Sequence, residues 1–352
     1  MGVRGKYLII NTFSFFKRLM VFFPSVYNLI RYIPILIIPS RYVSKNGVLT
    51  TLILAIILLI KNKPAVLIYY SPIFIFLIFK IQFHKLKFER LVQKTQWLLV
   101  VAILYGVLQK IIGFLPFEKA WILSDLSIVN SDNMFIENRE NRPFSIFASV
   151  PEFSIFCALY FLYFLTKKNI PWSLIGLIGI LVSGSRGVMI ATIIAIIVVF
   201  VFKPKNYFRT ILSTICVSLF FYLGLILGSS FLTSISDKFS SSRILLYGTF
   251  NGRVENLLNR IEGFEFSHLI IPSSTDASEA SDLTFDNLHA NLLLNFGIIG
   301  FMVFWRSFKF IENNHLTHLY FALFISFGFF NDLIFSVYSL LLFFVSIYGT
   351  KK

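Results

Sequence analysis

Arg142, Arg186, Arg243, Arg253 and Arg260, together with His289, are the side chains in this sequence best suited to a phosphorylated substrate. A guanidinium carries a permanent charge and a planar fork of N–H donors that matches phosphate oxygens. Histidine is the side chain that takes or releases a proton near neutral pH. The spacing around Arg186 is suggestive: Ser183-Gly184-Ser185-Arg186-Gly187 supplies hydroxyls, exposed backbone N–H groups and a fixed positive charge in one turn. The plainer reading of Arg186 is a residue snorkelling at a membrane boundary. Arg142 opens the run Arg-Pro-Phe-Ser-Ile-Phe-Ala-Ser-Val-Pro-Glu, in which Pro143 and Pro151 set an extended approach to a helix. Arg142 is either an anion ligand or part of a rigid loop. Glu152 reads as a capping acid, since a carboxylate suits a helix N-terminus.

The remaining candidates fall in the polar interval Gly228–Asn291. It begins with Ser229, Ser230, Ser234 and Ser236, passes Ser240 to Ser242, and then reaches Arg243 and, four residues on, Tyr247. A short amphipathic helix is expected near 252–262: Val254, Leu257, Leu258 and Ile261 share one face, and Arg253 and Arg260 share another. Its plainer role is to lie on a membrane surface, ended by Gly263. His289 closes the interval, with Asp286 and Asn291 near enough in sequence to orient its ring. A solitary histidine is also compatible with a satisfied structural residue. The first 117 residues hold a single acidic residue, Glu89, and no paired His/Asp cluster has metal-ligand spacing. No protein-held divalent cation is expected, so arginines would have to neutralise any pyrophosphate handled here.

The elements that position these groups are apolar. Of 352 residues, 57% are hydrophobic and 14% charged, with 43 Phe; soluble domains carry about 25% charged residues. Spans are expected near 26–40, 48–60, 65–80, 96–115, 151–166, 171–184, 187–202, 209–228, 291–310, 317–331 and 333–349, with 7–23 as either a twelfth span or an interfacial helix. The fold class is therefore an all-α polytopic membrane protein, one bundle of about eleven or twelve transmembrane helices. Lys80, Lys85, Lys87, Arg90 and Lys94, the pair Lys167-Lys168, then Lys203, Lys205 and Arg209 mark one side as cytoplasmic. Lys61 and Lys63 are the misfit. Two long loops, 116–150 and 229–290, then face the exterior together with the Arg186 turn and His289. The net charge of +15 resides in these short turns, which argues against nucleic acid as the partner. Cys157 and Cys216 both lie in apolar runs, so no disulfide framework is expected. No cleavable signal peptide is expected, because Lys17 and Arg18 interrupt the first apolar run.

Taken in order, these pieces resemble the O-antigen polymerase and ligase superfamily of bacterial envelope proteins. The resemblance is carried by Arg142-Pro-x-Ser-x-Phe-x-x-x-Pro, Ser-Gly-Ser-Arg186-Gly, Arg243-x-x-x-Tyr247, Gly263-Phe264, and His289-Ala-Asn291-Leu followed by Gly297-x-x-Gly300. It covers roughly residues 140–300. The resemblance implies a GT-C-like helical fold and transfer of a glycan from an undecaprenyl-diphosphate carrier at the periplasmic face of the inner membrane, with no cofactor. It assigns Arg186 and Arg243 to the donor diphosphate and His289 to the acceptor hydroxyl. Arg142, Arg253, Arg260, Tyr247 and Asn291 then stand as candidate substrate-binding residues. The expected partners are lipid-linked oligosaccharide donor and acceptor, the bilayer, and a chain-length regulator as a candidate. A repeat-unit polymerase is the favoured activity. A ligase delivering polymer to lipid A-core is the nearest rival, and a lipid-linked oligosaccharide flippase is a rival of another class.

Overall fold

Helices account for nearly all of the structure, a computed structural model that describes residues 44–60, 64–79, 88–122, 142–147, 149–236, 287–308, 315–330 and 337–348. The segments 7–23 and 26–40, the helix expected near 252–262, and Arg243, Tyr247, Arg253 and Arg260 lie outside the described residues. The helices are α1 (Lys45–Ile60), α2 (Pro64–Phe79), α3 (Phe88–Ile112), the short α4 (Pro116–Ile122), α5 (Val150–Thr166) and α6 (Ile170–Ser183). They continue with α7 (Arg186–Ile197), extended by a π-helical turn Val198–Phe202, then α8 (Tyr207–Ser236), α9 (Leu288–Arg306), α10 (His315–Gly328) and α11 (Val337–Tyr348). No strand occurs among the described residues.

Three of these helices, α3, the Tyr207–Gly224 part of α8, and α9, are long and apolar enough to cross a membrane. The outward faces are apolar as well. Trp97, Val101, Leu104, Leu108 and Ile111 of α3 are exposed at helical spacing, while Leu99, Ala102 and Ile103 are buried. Ile170, Leu174, Ile178 and Leu181 repeat the pattern on α6. A helix that is apolar on both faces has no side meant for water, which is compatible with a helical membrane protein.

Inside the bundle, α5 packs chiefly on α6 and also touches α3, α7, α10 and α11. The α5–α6 contact is close because α6 presents glycines: a Cβ on Gly176 would lie 2.8 Å from the backbone nitrogen of Phe161, and one on Gly179 2.5 Å from Cys157 Sγ. Small residues at such a seam let backbones approach, and in lipid that approach replaces the hydrophobic drive. Helix α10 is wrapped by α5, α7, α8 and α11, and every residue from Leu316 to Gly328 is buried. Much of the phenylalanine serves this interior. Phe324 and Phe343 stack 3.6 Å apart, and Phe308 meets Phe304, Phe321 and Phe344.

The helix boundaries correct the expected spans in four places. Helix α3 begins at Phe88 rather than 96, because Glu89 is held by Lys167 at 2.9 Å and is tolerated in the first turn. Helix α8 runs on to Ser236, so the serines read as the start of a loop are helical; Phe231, Leu232 and Ile235 keep that stretch apolar between them. The loop expected over 116–150 contains α4. Helix α9 starts at Leu288, which places His289 and Asn291 inside the first turn and a half rather than ahead of it, and it is not continuous. Gly297 adopts φ 65°, ψ −176° and breaks it into two half-helices.

The hairpin order sorts the polar contacts to two ends. One end carries Lys167 with Glu89, the edge-to-face pair Trp97–Trp172 and Thr210 Oγ1 2.6 Å from His318 Nδ1. The other end carries the N-termini of α5, α7 and α9, and the C-terminus of α10.

Candidate functional site

At this second end, each helix start is shaped by its own local sequence. Ser149 is extended (φ −155°, ψ 158°), and its hydroxyl accepts the Glu152 N–H at 3.4 Å, with Pro151 locked into the first turn. Serine three residues ahead of glutamate is a capping signature. Glu152 itself is fully buried. Helix α6 is stopped by Gly184 in the left-handed conformation (φ 66°, ψ 15°), and the chain turns directly into α7. Ser185 stands at the cap position of α7 without accepting any of its N–H groups, and Arg186 is the first helical residue. Acidic residues are the usual occupants of a first turn. A guanidinium there adds to the positive end of the helix instead of offsetting it. Arg186 is half-buried, and a Cβ on Gly184 would meet nothing within 4 Å, so the turn borders open space.

The α5 and α7 starts are tied together. Ser183 donates to the Ile180 carbonyl at 2.7 Å, shares a hydrogen bond with Ser154 Oγ at 2.9 Å, and accepts the Ser185 N–H at 3.3 Å. All three serines are buried. The turn that carries Arg186 is thereby fixed against the helix that carries Glu152.

His289 is the second residue of α9, behind the cap residue Asn287. The Asn287 side chain accepts the Ala290 N–H at 3.0 Å and donates to the Phe329 carbonyl at 3.2 Å. His289 Nε2 lies 2.8 Å from the carbonyl oxygen of Ile325. A carbonyl only accepts, so Nε2 carries the hydrogen and Nδ1 of the neutral ring keeps its lone pair. Among the described residues, Nδ1 is buried without a hydrogen-bond partner, as is Trp305 Nε1. Phe329 packs 4.3 Å from the ring, Trp305 5.4 Å and Phe301 6.1 Å. A Cβ on Gly328 would come 2.9 Å from Nε2, so only glycine leaves room for the ring. The group that orients the ring is thus a backbone carbonyl of α10; Asp286 lies outside the described residues. Asn291 is fully buried, its carbonyl accepting from Asn295 Nδ2 at 2.9 Å, and Asn295 reaches the Tyr70 hydroxyl at 3.4 Å.

Gly187, the residue after Arg186, and His289, far apart in sequence, pack against the same short stretch at the end of α10. Gly328 and Phe329 pack on His289. Phe330, the next residue, lies against Gly187, where a Cβ would sit 2.8 Å from Phe330 Cβ. The third part of this end is the approach to α5. Ser145 lies between Arg142 and Ser149 in a left-handed conformation (φ 56°) and bonds with Gln109, which in turn bonds with the buried Glu118. Arg142 is half-buried just before it.

The structure therefore brings Arg186, His289, Asn291, Glu152 and Arg142 to one end of the bundle. Among the described residues, no group of three His, Cys, Asp or Glu side chains could hold a metal ion. Sequence reading missed the Gln109–Glu118–Ser145 contacts, the Ser154–Ser183 link and the α10 turn. The first had a signal, a glutamine and a buried acid bracketing an otherwise apolar helix end; the α10 turn had none. No family model matches the chain, and no curated protein or solved structure matches it either.

Proposed function

We propose that this chain is a bacterial inner-membrane glycosyltransferase, a repeat-unit polymerase that joins undecaprenyl-diphosphate-linked oligosaccharides at the periplasmic face. The observation that carries this reading is that Arg186, at the positive end of α7, and His289, in the first turn of α9, stand on two helix starts that pack against the same Gly328–Phe330 turn. The acceptor hydroxyl oxygen attacks the anomeric carbon of the donor while the bond from that carbon to the diphosphate breaks. Charge grows on the departing diphosphate, and Arg186, reinforced by the amide groups of the α7 start, is suited to stabilise it. The hydroxyl proton goes to His289. The Ile325 carbonyl keeps hydrogen on Nε2, which leaves Nδ1 as the basic nitrogen; Nδ1 is buried in this structure, so the acceptor hydroxyl reaches it only if the packed Phe329 and Trp305 rings give way. Attack opposite the leaving group inverts the anomeric configuration, and no metal is required. Arg243 is proposed as a second diphosphate ligand, with Arg142, Arg253, Arg260, Tyr247 and Asn291 in contact with substrate.

The test is complementation of a strain lacking the gene, scored by surface polysaccharide on a gel, with membrane levels of each variant checked. A null strain whose core carries one repeat unit, unrestored by His289→Ala or Arg186→Ala, is the expected result. Bare core with polymer accumulating on the carrier would instead assign the ligase activity. An intact ladder from both variants would overturn the proposed site.

One observation favours a transporter as the second reading. A helix broken in the bundle at Gly297, beside buried Asn291 and Asn295, is the arrangement transporters use to bind cargo. Purified protein in liposomes separates the two: a flippase moves labelled lipid-linked saccharide between leaflets without lengthening it.

A further inference from the structure

Gln109 and Glu118 are neither cationic nor basic, and the chemistry proposed above leaves them unused. They nevertheless form the densest buried polar cluster among the described residues at this end of the bundle. Glu118 is 2% exposed, and its carboxylate is met by donors: Oε1 accepts from the Tyr105 hydroxyl at 2.7 Å and from Gln109 Nε2 at 2.6 Å, and Oε2 accepts the Leu115 N–H at 2.7 Å. Gln109, also 2% exposed, is thereby held in one orientation. Its Oε1 accepts the Ser145 N–H at 2.7 Å, and its Nε2 lies 3.4 Å from the Ser145 carbonyl. Ser145 Oγ donates to the Ala102 carbonyl at 2.5 Å, and Phe144 stacks on Phe114 at 5.1 Å. The side-chain amide reads both backbone polar groups of one residue, as a neighbouring strand would. It does so at a residue whose positive φ is unfavourable outside glycine and is kept only where its surroundings enforce it.

Apolar packing could anchor a loop without burying a carboxylate, which is costly unless every oxygen is satisfied. What the hydrogen bonds add is a fixed register. Ser145 is three residues after Arg142 and four before Ser149, the cap that starts the Glu152 turn.

We infer that Gln109 and Glu118 are positioning residues that clamp the 142–149 approach, so that Arg142 meets the lipid-linked diphosphate in one fixed geometry. This rests on the function proposed above, and it adds specificity for the diphosphate headgroup to that site.

The experiment uses the full chain in nanodiscs, with undecaprenyl diphosphate as the probe. Gln109→Met keeps the volume of the side chain and removes its amide, and Glu118→Met removes the oxygen that holds the Gln109 amide. Tyr105→Phe, which removes one of three donors to Glu118 and leaves Gln109 on Ser145, guards against a general folding defect. Amide exchange over 142–149 should quicken about tenfold in the first two variants and stay near wild type in the third. Affinity for the probe should fall roughly tenfold in the same two, the loss of one well-aimed charged hydrogen bond, while thermal unfolding stays cooperative. Faster exchange with unchanged affinity would overturn the positioning role, and unchanged exchange would overturn the clamp. Wild type that fails to bind the probe would instead remove the proposed function, and this inference with it.

Discussion

Gly328 is small because His289 needs the space. Any side chain there would press on Nε2 at 2.9 Å and break or lengthen its bond to Ile325. Gly328→Ala is expected to cost about 1–3 kcal/mol, as overpacking in a close-fitting interior does, measured as a lower unfolding temperature in detergent. In the complementation assay it should also lower polymer yield without touching a charged residue. Arg186→Lys is the second test at this scale. It keeps the charge but loses the fork, so ladder synthesis should fall several-fold rather than vanish, whereas Arg186→Ala should abolish it. The sequence showed that both residue types were present and which turn held Arg186. It could not show that the imidazole would be oriented by a main-chain carbonyl, because no side-chain pattern encodes one.

Helix α9 was legible as an apolar run, but its break was not. Gly297 reads as one more small residue of a packing seam until its ψ of −176° is seen. That conformation is essentially confined to glycine. Gly297→Ala should therefore destabilise by about 1–3 kcal/mol, or straighten α9 and move Leu288–Phe296 away from Tyr70; a thermal melt and the loss of activity would report either. At the far end, α5 is pinned to α3 by Lys167 and Glu89. The Lys167 ammonium is held above the ordinary lysine range, chiefly by its hydrogen bond to Glu89, and desolvation works weakly the other way. A folded value above the unfolded one means the contribution is complete below pH 10.5 and fades as pH climbs through the raised value. Because Lys167 is 47% exposed, Lys167→Met should cost less than about 1 kcal/mol at neutral pH, as exposed pairs do. The difference from wild type should shrink in strongly alkaline buffer.

Among the described residues, the helices and their apolar character could be read from apolar run lengths. Boundaries shifted wherever a polar residue found a partner, as Glu89 did, or where apolar residues continued between serines, as in α8. That the α7 start and His289 pack on one stretch needed the Gly328–Phe330 turn, which carries no polar side chain to mark it. Opposite ends should label oppositely. With Cys216 replaced, Phe117→Cys on α4, 38% exposed, should react with a membrane-impermeant thiol reagent in intact spheroplasts. Lys168→Cys should react only after the membrane is opened.

The burial of α10 on all sides bears on how such a molecule is made. A segment surrounded by α5, α7, α8 and α11 has no face left for lipid in the finished state, so it must exchange a lipid jacket for a protein one after insertion. Until that docking is complete, the α7 start has no Phe330 against it and His289 has no carbonyl to orient it. On the proposed function, then, competence would arrive only when α10 docks and gives the α7 start and His289 a common surface.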